Sequence, residues 1–288
     1  MDIRFLESLI AVINSGSIAA AARSQNLTSA AVSQRIRTLE IQLNTTLLIR
    51  DAHSARPTQI CLNLEPHIRA LIQDSYSLRS MTDTSGLSGN LRLGAISTAL
   101  TDFIPDILAE LKKTAPSAMF TIIPGSSSSL YEQLLRKDLD GAITVCPDFK
   151  LPKQILLTPL LKQQVVLLSK EVSRSSIKKT IQENPLILYD KQSWGGSMVA
   201  KWLQKLDVPN RVFCELDSLE TIALLVEEGM GIAIVPEWKS LYQYHPKLTI
   251  QAIKNTPQRE IVLLSQKISS VSALLNLVIS SQERNYQL

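Results

Sequence analysis

Five side chains between Ser29 and Arg37 have the types and the spacing to read a nucleic acid. Ser29, Ala30, Ser33, Gln34 and Arg37 fall on one side of a helical repeat, with no large apolar residue among them. Serine and glutamine exchange hydrogen bonds with base edges, arginine takes guanine bidentately or grips a phosphate, and the Ala30 methyl suits a thymine methyl. Val32, Ile36, Leu39 and Leu43 make the opposite stripe at the same spacing. An ordinary amphipathic helix with a solvated face has the same pattern in isolation, so the neighbouring elements decide between the two.

Thr28 or Ser29 has the hydroxyl to cap this helix, accepting from the free amides of its first turn. Ser17 suits the same role in a preceding helix, whose Ile18, Ala21 and Ala22 allow a close crossing. The bridge Ser24-Gln25-Asn26-Leu27 is as short as a helix-turn-helix requires. Upstream, Phe5, Leu6, Leu9, Ile10 and Ile13 predict a third helix that completes the core. Downstream, residues 47–50 and 57–60 read as two short strands around the polar turn 51–56. Such a wing sets Arg50 and Arg56 against phosphates, contacts that position a protein without reading sequence. His53, in the turn, would face phosphate or water.

A length of 288 residues suits two or three domains. The 45% hydrophobic and 19% charged content is that of a globular chain, and a net charge of +4 argues against a general polyanion binder. Positive charge is instead local. Arg23, Arg35, Arg37, Arg50 and Arg56 fall in the first domain and would supply the salt-sensitive phosphate contacts. No apolar run approaches the roughly 20 residues that span a bilayer, and no signal-peptide pattern opens the chain. No membrane partner and a cytoplasmic location are therefore expected. Cys61, Cys146 and Cys214 are widely spaced without a CxxC pattern and read as structural thiols, with a redox pair of Cys146 and Cys214 as the alternative. His53, His67 and His245 are too scattered for a metal site, so neither metal nor cofactor is expected.

Residues 62–81 carry an a/d seam. Leu64, Ile68, Leu71, Ser75 and Leu78 alternate four and three residues apart, and Ile72 widens the stripe. A lone helix of this length needs a partner. A dimerising linker answers that need better than packing on its own domain, since two half-sites supply contacts that one helix cannot. Residues 82–89 are small and polar and read as a hinge. Beyond it, short apolar runs alternate with amphipathic helices, which predicts mainly parallel sheets. Strands are expected at 91–95, 119–123, 141–145, 165–168, 186–188, 211–214, 231–235 and 260–264. Helices are expected at 102–113, 129–136, 176–182, 197–206, 219–228 and 272–283.

In such sheets a ligand sits beyond the carboxyl ends of the strands. Ser97 and Thr98 follow the first strand, and Gly125-Ser126-Ser127-Ser128 follow the second. Both loops offer hydroxyls and free amides ahead of a helix, a setting for a carboxylate or similar anion. Cys146 and Pro147 end the third strand on the same rim. Trp194-Gly195-Gly196-Ser197 and Asp217-Ser218 precede helices farther along. Gly229 and Gly231 fit a tight helix-to-strand turn and carry no GxGxxG or Walker pattern. Nothing marks a catalyst: no nucleophile elbow accompanies a placed histidine.

Residues 1 to about 60 resemble the winged helix-turn-helix of the LysR-type transcriptional regulators. The resemblance rests on Phe5-Leu6, Gly16-Ser17, Ala20-Ala21-Ala22, Leu27-Thr28, Ala31-Val32-Ser33-Gln34, Ile36, Leu39-Glu40 and Leu43. The family usually has glycine near Asn44, and its Leu-Thr-x-x-Gly is replaced by Pro57-Thr58 followed by Leu62. From Leu91 onward, Leu91-Arg92-Leu93-Gly94 and the stretch from Glu228 to Pro236 resemble the family's effector domain, itself similar to periplasmic solute-binding proteins.

The resemblance implies three parts: an all-α winged helix-turn-helix at 1–61, a linker helix and hinge at 62–89, and an α/β effector domain at 90–288. That domain would comprise two Rossmann-like subdomains, the first about 90–161 with 265–288 and the second about 162–264. Double-stranded DNA would be bound through Ser17, Thr28, Ser29, Ala30, Ser33, Gln34, Arg37, Arg50 and Arg56. A small organic anion or amino acid would sit among Ser97, Thr98, Ser126, Ser127, Val145, Trp194 and Ser218. The resemblance also implies a dimer or tetramer, contact with RNA polymerase and no enzymatic activity. A solute-binding protein without DNA function is the remote alternative, but it would not carry the first domain.

Overall fold

In the computed structural model the described residues are 1–51, 54–81, 87–172 and 175–285. His53 and most of the expected hinge lie outside them. The chain divides into two units, residues 1–84 with 136–138 and residues 85–135 with 139–288.

The first unit opens with three helices, α1 (Ile3–Ser15), α2 (Ile18–Ser24) and α3 (Ser29–Gln42). Each start carries a side-chain cap: Asp2 accepts from Arg4 N, Ser17 from Ala20 N and Thr28 from Ala31 N. Thr28, not Ser29, therefore caps α3. Leu6, Leu9, Val12, Ala21, Ala22, Val32, Ile36 and Leu39 are buried in one shared core. Gly16, Asn26 and Asn44 adopt left-handed conformations after α1, α2 and α3. Asparagine tolerates this region better than most side chains, which is how Asn44 serves in place of a glycine.

Strands β1 (Leu48–Arg50) and β2 (Ala55–Pro57) pair antiparallel and form the wing. The second strand ends earlier than its sequence suggests, and residues 59 and 60 are helical. The reason is Thr58, whose hydroxyl accepts from Cys61 N and so starts α4 (Gln59–Met81). On α4, Ile68 is buried against the helical core and Leu64 and Ile72 pack beside it. Leu71 is half exposed. The first part of the a/d stripe thus serves its own domain, while Leu71 faces outward; the side chain of Leu78 lies outside the described residues.

The second unit holds two five-stranded sheets, each with its own core. One sheet runs in the order β4 (Ala118–Pro124), β3 (Gly89–Ala95), β5 (Gly141–Val145), β12 (Arg259–Gln266), β6 (Ile155–Gln163). The other runs β11 (Thr249–Ala252), β7 (Val165–Ser169), β10 (Ile232–Pro236), β8 (Pro185–Tyr189), β9 (Arg211–Leu216). Helices α5 (Ser97–Asp102), α6 (Ile104–Thr114), α7 (Ser127–Leu135) and α12 (Ser272–Asn285) belong with the first sheet. Helices α8 (Ile177–Glu183), α9 (Trp194–Leu206), α10 (Leu219–Glu227) and α11 (Lys239–Tyr244) belong with the second. Strands β5, β7 and β10 are buried along their whole length, as their mainly apolar runs require, with Thr144 and Ser169 the polar exceptions.

The sheets are mixed, not mainly parallel. β3 runs parallel to β4 and β5, but β12 runs antiparallel to β5 and β6. β8 runs parallel to β9 and β10, but β7 runs antiparallel to β10 and β11. The antiparallel pairs adjoin the two crossovers. The chain leaves the first sheet after Gln163 and returns at Arg259, and these two residues face each other in register. The strand expected at 260–264 in the second subdomain is therefore β12 of the first, and the return precedes Arg259.

Strand β6, where the sequence suggests only a join near Leu160, is an edge strand. Pro159 and a bulge at Leu160 interrupt its alternation. The helix expected at 102–113 is α6, with Pro105 in its first turn, where a missing N–H is harmless, and a further short helix, α5, precedes it. The short elements β11 and α11 have no counterpart in the sequence-based expectation.

Candidate nucleic-acid interface and ligand cleft

On the first unit, α3 turns Thr28, Ser29, Ala30, Gln34 and Arg37 to solvent and leaves Ser33 half-buried. Val32, Ile36 and Leu39 are buried on the opposite side. Thr28 and Ser17 spend a lone pair on their helix caps, and each hydroxyl keeps a proton to donate. The arginines divide. Arg23, Arg37 and Arg56 are exposed. Arg35 turns inward instead: its guanidinium donates to Ser8 Oγ at 3.1 Å, and Ser8 in turn donates to Gln25 Oε1 at 2.8 Å. It ties the three helices together, so a phosphate there has to compete with these bonds. Arg50 pairs with Glu40 at 3.0 Å, and the same carboxylate accepts from Leu47 N and Leu48 N. A phosphate at Arg50 has to compete with Glu40, so Arg37 and Arg56 are the better-placed cations.

In the second unit a cavity of about 450 Å³ opens between the ends of the strands of the two sheets. That size suits a small molecule. Ser97, Thr98, Ser126, Ser127, Val145 and Trp194 all line it. Ser218 does not: it caps α10 by accepting from Thr221 N, and its neighbour Asp217 lines the cavity instead. Ser126 accepts from Ser129 N at 3.3 Å at the start of α7. Ser127 is buried and accepts from Val145 N at 3.1 Å. Trp194 to Ser197 form the first turn of α9, capped by Ser193, rather than a loop ahead of it.

The residue that sequence reasoning misses is Arg259. It is 1% exposed, yet lines the cavity floor at the crossover. Its Nε donates to Gln163 Oε1 at 2.8 Å and its Nη2 to Thr98 Oγ1 at 2.6 Å. Tyr189, from the other lobe, faces it as well. Among the described residues no carboxylate lies within 4.0 Å of it; Tyr189, then Glu220 and Asp102, act on it to favour its charge. Burial pulls its pKa below the ordinary value, but a guanidinium keeps its proton at neutral pH. A buried cation held by neutral oxygens attracts an anion.

Asp190 and Asp217 line the opposite lobe. Burial holds the Asp217 carboxyl above the ordinary range; the Ser193 hydroxyl and Arg259 pull against this, and Asp190 adds to it. Burial also raises the Tyr189 phenol. Trp194 is wedged edge-on against Phe149 with ring centroids 5.4 Å apart, and tilted to Tyr131 at 5.8 Å. It therefore joins the lobes as well as walling the cleft. A second bridge is Asp102, which accepts from Lys239 N, Ser240 N and Ser240 Oγ at the start of α11.

Both parts of the chain, the helical unit with its exposed polar face and the two-sheet unit, match known families. A family model described as "Bacterial regulatory helix-turn-helix protein, lysR family" matches residues 3–61, and one described as "LysR substrate binding domain" matches residues 84–282. The chain belongs to the LysR family. As a LysR-family protein it is a DNA-binding transcriptional regulator with an effector-binding domain, not an enzyme.

This LysR-family regulator is 26% identical over 242 residues to the HTH-type transcriptional regulator CzcR of Bacillus anthracis, spanning 82% of this chain and 81% of the relative. Its fold is similar to that of full-length OxyR from Pseudomonas aeruginosa, with a TM-score of 0.73, 18% identity and 98% and 95% of the two chains covered. It is also similar to full-length CbnR complexed with its target DNA, with a TM-score of 0.66, 16% identity and 99% of each chain covered. No single helix among the described residues is long and apolar enough to cross a membrane, and no described cluster of His, Cys, Asp and Glu could hold a metal ion.

The three thiols of the LysR-family regulator are free. Burial pushes Cys61 up to about 11. Burial also raises Cys146, with Glu260 acting the same way, and raises Cys214. Reactive thiols are shifted in the opposite direction.

Proposed function

We propose that this regulator reads its operator through residues 28–37 and takes a small organic acid or amino acid in the cleft of its effector domain as the controlling signal. The observation that carries the second part is Arg259: a buried guanidinium at the crossover, lining the cavity and touching Thr98 of one lobe, with Tyr189 of the other beside it. The carboxylate of a bound acid completes this site, with the Ser97, Ser126 and Ser127 hydroxyls and the amides at the start of α7 as further donors. A ligand shifts the balance between two arrangements only by its differential affinity for them, and a group at the crossover between the lobes is placed to supply one.

The operator is double-stranded DNA with two half-sites, read by a dimer or tetramer in which α4 pairs through the face beginning at Leu71. Its exposure, with the preceding stripe already committed to the core, supports that face. Contact with RNA polymerase and a cytoplasmic location follow from regulating transcription. A redox mechanism through Cys146 and Cys214 draws no support from their raised thiols.

The reading face is tested by Gln34→Ala. Gln34 is exposed on α3 and contributes nothing to the buried core, so the variant should fold normally. Its operator affinity is expected to fall by about 1–3 kcal/mol with relaxed base choice, while affinity for random DNA stays put. Quantitative gel shifts on both DNAs check this; equal losses on the two would remove Gln34 from base reading. The signal is tested by a thermal-shift screen of small organic acids and amino acids on the full chain. Silence from every compound would count against the cleft.

A further inference from the structure

The charges that line the cleft are divided between its lobes. Arg259 and the hydroxyls of Ser97, Thr98, Ser126 and Ser127 lie on the side of the first sheet, and Asp190 and Asp217, with the Ser193 hydroxyl, on the side of the second. From this division we infer that the ligand is a zwitterionic α-amino acid, not a simple organic acid; the inference rests on the cleft being the effector site. A simple carboxylate entering this cavity meets one guanidinium and two carboxylates, so the second lobe repels it. An amino acid satisfies both sides. Its carboxylate takes Arg259 and the donors at the start of α7, and its ammonium lies against Asp190 and Asp217.

Neither aspartate is held in an ion pair, although Asp217 accepts from the Ser193 hydroxyl and feels Arg259 across the cleft. Among the described residues no lysine, arginine or histidine nitrogen lies within 4.0 Å of either carboxylate. Lys191, the adjacent cation, pairs with Glu215 at 3.8 Å instead. Asp190 has Oδ1 engaged by the Gln192 N–H at 2.8 Å, which fixes the side chain on the cleft rim. A ligand bearing both charges binds both lobes at once and so distinguishes lobe arrangements. A hydroxy acid of the same shape holds only the first lobe.

The probes are the standard L-amino acids and their matching α-hydroxy acids, each at about 10 mM in a thermal-shift assay on the full chain, where a ligand of native-state preference raises the melting temperature. The tightest amino acid is then titrated calorimetrically beside its N-acetyl and α-amide derivatives. Blocking either charge is expected to weaken binding at least about 10-fold, the scale of a lost charged hydrogen bond. Asp217→Asn and, separately, Asp190→Asn should narrow the preference for the amino acid over the hydroxy acid by about 10-fold; this ratio is independent of any general loss of stability. A hydroxy acid that binds as tightly as its amino acid, or no amino acid that binds at all, overturns the inference. If such a hydroxy acid loses its affinity in Arg259→Met, the cleft remains the effector site and only the zwitterion is wrong. If a bound amino acid is indifferent to Arg259→Met, both readings fall.

Discussion

Arg259→Met is expected to weaken effector binding by about 3 kcal/mol, roughly 100-fold, the scale of removing one partner from a buried, hydrogen-bonded charge pair. Desolvation sets the size of this effect. Arg259 is already out of water, so the ligand's carboxylate meets a cation whose hydration has been given up in folding. Methionine fills a similar length without charge, and replacing a buried ion by an apolar side chain is often tolerated. Gln163 Oε1 and Thr98 Oγ1 each lose one donor, at a cost to the free protein of about 1–3 kcal/mol apiece. Arg259→Lys separates charge from geometry. It keeps the positive charge but not the planar fork that reaches Gln163 and Thr98 together, so it should recover part of the affinity. Calorimetric titration of the best compound from the thermal-shift screen, with melting of the ligand-free variants as the folding control, measures both quantities. An unchanged affinity in Arg259→Met would leave the cleft without its anchor.

The largest stability loss is expected at Gly196. A Cβ there would lie 1.9 Å from Asp190 O, 2.6 Å from Asp190 C and 2.9 Å from Tyr189 O, all of them backbone atoms. The first turn of α9 sits directly on the end of β8, and Ser193 N already donates to Asp190 O there. Neither element can retreat without breaking that bond, so Gly196→Ala should cost about 3 kcal/mol or more, a fall of roughly 6–12 °C in Tm for a domain of this size. Gly195→Ala provides the contrast. Its Cβ would meet only the Tyr189 ring, at 2.7 Å from the hydroxyl oxygen. A side chain can swing away, so the Tm should change less, while the displaced Tyr189 disturbs the cleft wall beside Arg259. Equal Tm losses in the two variants, seen by circular dichroism, would contradict the close backbone approach. The same distinction holds between Gly229 and Gly231. Gly229 has φ +80 and makes the turn, whereas Gly231 is needed because a Cβ would strike Pro185 O at 2.4 Å.

What the chain reveals on its own is whatever is decided within a few residues. The caps at Ser17 and Thr28, the buried stripe of Val32, Ile36 and Leu39, and the exposed face from Ser29 to Arg37 all follow from contacts three or four positions apart. The buried strands β5, β7 and β10 were legible for the same reason, as were the serines after β3 and β4 that line the cleft, although the helices there begin earlier than the sequence pattern places them. Local pattern fails where partners are distant. Arg35 and Arg50 look like free cations until Ser8 and Glu40 are brought beside them. The stripe on α4 looks like a dimer seam until part of it is found on its own core. Above all, Arg259 stands in a plain polar stretch with no motif. It becomes the floor of a binding site only because two crossing strands set it against Gln163, 96 residues away, and Thr98, 161 residues away. Helix faces and caps are local energetic choices that a sequence displays; the pairing of a buried charge is a long-range one, made only when the sheets close around it.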